Sequence, residues 1–108
     1  MARIIGERYR VIVDTPIGST NPDYPDIVYE VNYGLVDGIL AADGQEQYAY
    51  ILGIDEPIEE FEGTLIAIIH RINDVENKWV IANKHLTKDE IYQKVSFMEK
   101  YFKVEILM

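Results

Sequence analysis

Short runs rich in Val, Ile and Tyr recur along the chain, and turn residues separate each run from the next. The runs span residues 9–13, 27–36, 48–52, 65–72 and 79–82. Gly, Pro, Asp and Asn mark the turns between them, as in Pro16, Asp37-Gly38 and Asp43-Gly44. Short strands at such intervals favour antiparallel pairing, and closing a small barrel removes the exposed edges of a flat sheet. The sequence therefore predicts a mainly β fold, a closed or partly closed barrel.

A single helix start is marked near the C-terminus. Thr87 and Glu90 form a capping box, in which each side chain accepts a hydrogen bond from the backbone amide of the other residue. Apolar residues then recur at helical spacing, namely Ile91, Val95, Met98 and Phe102. The sequence predicts a helix over about 87–102 that packs on the barrel, followed by an extended segment at 103–107.

Composition limits the classes of function. The chain of 108 residues has no cysteine, which removes thiolate metal sites and is typical of a reducing, cytoplasmic compartment. A formal net charge of −9 would repel a nucleic-acid backbone, even though tyrosines on a barrel can stack bases. No apolar run reaches the roughly 18 residues that cross a bilayer. We expect a single domain, 1–108, that is cytoplasmic and has neither a nucleic-acid nor a membrane partner.

The side chains that could take part in catalysis or metal binding are mainly oxygen donors. Neither serine lies in a nucleophile elbow, and His70 and His85 have no partner at zinc-ligand spacing. Acidic turns at 43–46 and 73–78 remain, and carboxylates of this kind bind Mg²⁺ together with a phosphorylated substrate. Each segment alone is also typical of an exposed turn, so these residues do not decide between a metal site and an ordinary surface turn.

Four short motifs follow one another in a fixed order along the chain. Tyr-Glu-Val-Asn-Tyr-Gly at 29–34 precedes Asp-Gly-Gln-Glu-Gln-Tyr at 43–48, then Asp-Val-Glu-Asn-Lys-Trp at 74–79 and Phe-Met-Glu-Lys-Tyr-Phe at 97–102. In this order they resemble the motifs of the family I soluble inorganic pyrophosphatases, which read Tyr-Pro-x-Asn-Tyr-Gly and Asp-Gly-Asp-Pro-x-Asp. The resemblance covers about 9–102 and implies an OB-like antiparallel barrel of five to six strands with a C-terminal helix.

The resemblance also implies a site and a reaction. Mg²⁺ would assist hydrolysis of pyrophosphate or a related phosphoanhydride, and the protein would be a homo-oligomer. The implied metal ligands are Asp43, Asp74 and Glu76, and the implied catalytic residues are Asp43, Glu76 and Lys78. The implied substrate contacts are Tyr29, Tyr33, Lys78 and Tyr101.

Two departures from the motif leave two hypotheses. Gln45 and Tyr48 stand where the motif has metal-site aspartates. The segment between Ser19 and Ile27 is also too short for the hairpin that carries a lysine and an arginine in the family. Since metal carboxylates and cationic groups stabilise phosphoryl transfer, we expect either weakened hydrolysis or a catalytically inactive binding or assembly module.

Overall fold

A closed barrel forms the centre of the protein in a computed structural model that describes residues 5–41, 43–72 and 77–108. The strands of the described ranges are β1 Arg8–Thr15, β2 Asn32–Leu40, β3 Glu46–Ile51, β4 Glu60–Arg71, β5 Asn77–Ala82 and β6 Val104–Leu107, with the helix α1 Lys88–Glu99 before β6. Five strands follow the order β1-β2-β3-β5-β4, and β4 pairs back onto β1 to close the ring. This confirms the predicted small barrel with a C-terminal helix.

One pair in the barrel is parallel. β3 and β5 run in the same direction, with Ala49 opposite Trp79 and Ile51 opposite Ile81. Strand direction cannot alternate all the way around a ring with an odd number of members, so at least one neighbouring pair must be parallel. The predicted antiparallel pairing therefore holds for the other four pairs of the five-strand ring and fails between β3 and β5.

β6 lies outside the ring. The long strand β4 pairs with β1 through residues 60–64. Beyond that pairing, the same edge of β4 pairs with β6 through residues 68–71. Within the described ranges β6 pairs with β4 alone. One edge of β6 is therefore the end of the sheet.

Alternating strand residues build two apolar cores. Every strand of the ring contributes to the barrel interior, which holds Val11, Val36, Ala49, Ile51, Leu65, Ile68, Trp79 and Ile81. The neighbouring residues face the other way, because side chains alternate across a strand. On that side Tyr50, Ala67 and Val80 pack with Ile91 and Val95 of α1. Both faces of β3, β4 and β5 are thus buried, and α1 covers the outer one.

The helix starts as the sequence predicts and ends earlier. Thr87 Oγ1 accepts from the Glu90 amide at 3.2 Å, and Glu90 Oε1 accepts from the Thr87 amide at 2.9 Å. Hydrogen bonds from the backbone amide and then the side chain of Thr87 to the Glu90 carboxylate hold the pKa of Glu90 below its ordinary value. α1 ends at Glu99, since the chain must turn there for the Lys103 carbonyl to reach the amide of Ile72, the residue after β4.

Removal of the N-cap hydroxyl should weaken the helix measurably. Thr87→Ala is expected to lower the free energy of unfolding by about 1 kcal/mol, because the amide of Glu90 loses its acceptor. Ser96→Ala in the same helix removes a hydroxyl that only donates to the Gln93 carbonyl, and it serves as the matched control. Urea denaturation compares the variants, and equal stability of the two would contradict the capping role.

Candidate functional site

A small cavity brings two of the predicted site residues together, Asp43 and Lys78. It has a volume of about 40 Å³ and lies where β3 begins beside β5. Its lining residues are Ala41, Asp43, Gln45, Glu46, Gln47, Tyr48, Asn77 and Lys78. Gly44 has a φ of +83°, which a glycine adopts without steric cost, so the chain can turn sharply between Asp43 and β3. The parallel pairing of β3 with β5 then sets this turn beside Lys78.

A stacked pair of tyrosines lies under the Lys78 ammonium. The rings of Tyr33 and Tyr48 are 5.0 Å apart between centroids and inclined by 8°. Lys78 Nζ lies 5.0 Å from the Tyr48 centroid and 5.6 Å from the Tyr33 centroid. The lysine is only 7% exposed. Because it is largely removed from water, the attraction between its ammonium and the two rings is stronger than at an exposed site. At position 48 the resemblance implies a metal-binding aspartate. The Tyr48 ring stands there instead, with the Lys78 ammonium over it.

Asp43 holds the turn that precedes β3. Its Oδ1 accepts a hydrogen bond from the Gln45 amide at 3.0 Å, while the carboxylate remains exposed. This is an Asx turn, a local use of an aspartate that needs no metal. Gln45 and Glu46 are exposed beside it. Asp43 thus lines the cavity and already has a structural role there, while its role as a metal ligand stays a prediction.

Gln47 carries an unsatisfied buried oxygen. Its Nε2 donates to the carbonyls of Tyr48 and Asn77, both at 2.8 Å. Because both partners are acceptors, the orientation of the amide is fixed. Oε1 is buried and has no hydrogen-bond partner among the residues that the structure describes. A buried acceptor without a partner costs about 1–3 kcal/mol, so this atom would favour a cation or a donor at the cavity.

The oxygen donors that the structure describes at the cavity fit one divalent cation. No group of three or more His, Asp or Glu side chains is placed to hold a metal within the described residues. Asp43 and Glu46 line the cavity, whereas the predicted ligands Asp74 and Glu76 lie outside the described residues. Mg²⁺ keeps most of its waters and needs only about one or two carboxylates. The described donors therefore fit one Mg²⁺, but not the several metal ions that the resemblance implies.

The predicted substrate tyrosines are separated. Tyr33 lies in the stack at the cavity, and Tyr29 contacts it from the core at 5.5 Å between ring centroids. Burial raises the pKa of Tyr29, and a hydrogen bond with Asn21 opposes this rise. Tyr101 is 60% exposed and lines a different cavity, of about 520 Å³, with Tyr24. Of the four predicted substrate contacts, Lys78 thus lines the Asp43 cavity, and Tyr33 lies behind it, stacked on Tyr48.

A buried polar network ties α1 to the sheet. Glu99 is fully buried and accepts from Arg71 Nε at 3.0 Å, from Arg71 Nη2 at 2.7 Å and from the Tyr50 hydroxyl at 2.6 Å. The Phe102 ring covers the guanidinium, with Arg71 Cζ 3.8 Å from the ring centroid. Sequence analysis missed this network. The available signal was the position of Glu99 four residues after Val95, within the buried stripe of the helix.

The network shifts two pKa values. Burial, the Glu99 charge and the hydrogen bond to it raise the pKa of Tyr50 well above its ordinary value. Burial lowers the pKa of Arg71, but the hydrogen bonds and charge of Glu99 outweigh it and raise that pKa. Both residues therefore keep their protons, and the pair of opposite charges is held in the core.

Alkaline pH should destabilise the protein through Tyr50. Its folded pKa is raised, so its contribution to stability is complete below the unfolded pKa of about 10 and is lost as pH rises from there towards the folded pKa. Tyr50→Phe is expected to make the alkaline fall in stability shallower. Urea denaturation between pH 8 and 11.5 measures it, with the exposed Tyr92→Phe as control. An unchanged alkaline slope in Tyr50→Phe would contradict the assignment.

Comparisons with known proteins identify the fold. No protein-family model matches this sequence, and no curated protein matches it. Among solved structures, the inorganic pyrophosphatase from Ehrlichia chaffeensis aligns with a TM-score of 0.69 at 13% identity, covering 96% of this chain and 86% of that one. The inorganic phosphatase from Anaplasma phagocytophilum aligns with a TM-score of 0.55 at 14% identity, covering 93% and 82%. An inorganic pyrophosphatase from Neisseria gonorrhoeae gives 0.52 at 19% identity, covering 89% and 67%.

The chain therefore has a divergent form of the pyrophosphatase fold, as the order of its motifs predicts. At these identities the likeness concerns the fold alone. In the described part of the chain, no helix has the length and apolar character that a membrane span requires.

Proposed function

We propose that the protein binds pyrophosphate or another small phosphorylated anion with one divalent cation over the mouth of the Asp43 cavity, and that it hydrolyses the anion only slowly. The observation that carries the proposal is the Lys78 ammonium over the stacked rings of Tyr33 and Tyr48. A cation held in this way can attract a phosphoryl group. Tyr48 of this stack stands where the resemblance implies a carboxylate. The cavity therefore favours binding of the anion over assembly of several metal ions.

The charges of the cavity make binding dependent on the metal. Asp43 and Glu46 carry two negative charges at its lining and Lys78 carries one positive charge, which leaves a net charge of −1. An anion alone would be repelled by this balance. Mg²⁺ held by Asp43 and Glu46 would supply positive charge that offsets the phosphoryl oxygens. We therefore expect pyrophosphate to bind in the presence of Mg²⁺ and much more weakly without it.

Slow turnover follows from the missing carboxylates. Gln45 and Tyr48 replace two groups that the resemblance assigns to the metal site. Loss of one preorganised electrostatic contact to a transition state typically costs about 10²–10³ in rate. With two such losses, we expect a rate at least roughly 10⁴-fold below that of a pyrophosphatase with the complete motif. Phosphate release in Mg²⁺, Mn²⁺ or Zn²⁺ measures it, and Asp43→Asn should abolish any activity that belongs to this cavity.

Lys78→Met tests the binding role directly. Methionine keeps the length of the side chain and its packing on the rings but removes the charge, so pyrophosphate affinity in Mg²⁺ should fall at least tenfold, or about 1.4 kcal/mol. Lys84→Met removes an exposed charge that does not line the cavity and should leave the affinity unchanged. Isothermal titration calorimetry gives both affinities, and circular dichroism checks the fold. Equal affinity in Lys78→Met and the parent would refute the role of Lys78.

A catalytically inactive assembly module is the second candidate. It is favoured by the exposed aromatic residues at the cavity of about 520 Å³, where Tyr24 is 65% exposed, Tyr101 60% and Phe102 39%. Aromatic residues of this kind are enriched at protein interfaces, so a homo-oligomer would bury them. Light scattering on the parent and on Tyr101→Ser separates the two candidates, because an assembly role requires the oligomer to weaken in the variant.

A further inference from the structure

The outer edge of β6 presents unpaired backbone groups. The Ile72 amide donates to the Lys103 carbonyl at 2.9 Å, which makes this a hydrogen-bonded pair of the antiparallel ladder between β4 and β6. Such pairs alternate along the ladder, so Glu105 and Leu107 also direct their backbone groups towards β4. The backbone N–H and C=O groups of Val104 and Ile106 therefore point outward, where no described strand pairs with them.

A groove runs along β6 beside the helix. Its volume is about 530 Å³, and its lining residues are Lys88, Asp89, Tyr92, Gln93, Phe102, Val104, Glu105 and Ile106. The helix supplies one wall and β6 the other. Tyr92 and Phe102 are 38% and 39% exposed, so the groove offers apolar surface next to the backbone edge. An edge strand beside a helix is an arrangement in which an extended peptide can add a strand to a sheet.

A second copy of the chain is a poor occupant. Two β6 strands would use all four outward groups only if Val104 of one copy pairs with Ile106 of the other. This register sets Glu105 opposite Glu105 of the second copy, and like charges directly opposite each other are destabilising. The net charge of −9 on each chain adds repulsion. Charged residues on an edge are a known way to prevent a sheet from pairing with itself.

We propose that the groove between β6 and α1 binds an extended peptide segment that pairs with β6 and carries Lys or Arg opposite Glu105. The outward groups of Val104 and Ile106 supply up to four backbone hydrogen bonds. The charges of Lys88 and Asp89 offset each other at the helix wall, so Glu105 sets the preference for a cation. An apolar side chain of the peptide lies against Tyr92 and Phe102. This site shares no lining residue with the Asp43 cavity and goes beyond its proposed function.

The test uses a fluorescein-labelled synthetic octapeptide of alternating valine and threonine with a central lysine, and a second peptide with a central glutamate. Fluorescence anisotropy should show that the lysine peptide binds the parent at least fivefold more tightly. Glu105→Lys should reverse this preference. The matched control Asp37→Lys changes an exposed strand acid outside the groove and should preserve the preference.

A proline at the edge tests the backbone contribution. Ile106→Pro removes an outward N–H while leaving the β4 ladder its own hydrogen bonds, and proline is tolerated at this kind of edge position. It should weaken binding of the lysine peptide at least tenfold, with the fold confirmed by circular dichroism. If Ile106→Pro unfolds, the reversed peptide preference expected of Glu105→Lys still tests the proposal. Failure of the lysine peptide to bind, an unchanged preference in Glu105→Lys, or self-association that Ile106→Pro abolishes would each overturn the proposal.

Discussion

Glu99→Leu is expected to lower the free energy of unfolding by about 3–5 kcal/mol, because it removes a carboxylate that is hydrogen-bonded to the buried guanidinium of Arg71. In the folded protein Glu99 accepts two hydrogen bonds from Arg71 and one from Tyr50. The Arg71 side chain is only 8% exposed, so water cannot replace the lost carboxylate without opening the contact between α1 and β4. Urea or thermal denaturation followed by circular dichroism measures the loss.

Removal of the whole network is the matched control. The triple variant Tyr50→Phe, Arg71→Met and Glu99→Leu leaves no member of the network without a partner. A buried ion pair replaced by apolar residues of similar volume is often neutral for stability, so the triple variant should be more stable than Glu99→Leu alone. A loss below about 1 kcal/mol in the single variant, within the range of an exposed pair, would show that Arg71 finds water or another acceptor.

Gly34→Ala is expected to cost on the order of 3 kcal/mol or more, at the upper end of the effect of overpacking. A Cβ at this position would lie 2.1 Å from the Ile12 carbonyl oxygen and 2.7 Å from the Val13 Cα. Both are backbone atoms, so β1 and β2 would have to move apart where they pair. Tyr33 precedes Gly34, and the shift should also disturb its stack with Tyr48 and weaken pyrophosphate binding.

Gly38→Ala separates this effect from the general cost of adding a methyl group to a glycine. Gly38 has a φ of +77°, and a Cβ there would have no heavy atom within 4 Å. Only the left-handed backbone conformation opposes alanine, at about 1–2 kcal/mol. Denaturant titration of both variants should therefore rank Gly34→Ala as the more damaging. An equal loss in the two would contradict the close approach of β1 and β2.

The sequence predicted elements where local signals decide the structure. The capping box at Thr87 locates the helix start, since its hydrogen bonds lie within one turn. Strand periodicity located the other strands but overextended the run at 27–36, because β2 begins only at Asn32. There the Asn32 side chain accepts from the Ile17 amide at 3.1 Å and donates to the Glu56 carbonyl at 2.9 Å. Residues 27–29 instead form backbone hydrogen bonds with Gly18, Ser19 and Asn21, outside the main sheet.

Motif order predicted which segments carry the site, and the roles of their residues stay predictions. Asp43, Tyr48 and Lys78 meet at one cavity because the turn and the β5 strand occupy the positions that the motifs imply. The orphan oxygen of Gln47 and the network of Arg71 and Glu99 could not be predicted in the same way. Each depends on which strand or helix packs beside it, and that information is tertiary. The parallel pair of β3 and β5 is likewise a property of the closed ring.

Phosphorus NMR of pyrophosphate with the protein and Mg²⁺ tests the central claim most directly, because one spectrum reports both binding and hydrolysis. The Lys78 ammonium over Tyr33 and Tyr48 predicts a pyrophosphate resonance that shifts or broadens as protein is added and that needs Mg²⁺ to do so. Orthophosphate should grow only slowly while this complex persists. Rapid conversion to orthophosphate over many turnovers, or a pyrophosphate resonance unaffected by the protein, would contradict the account.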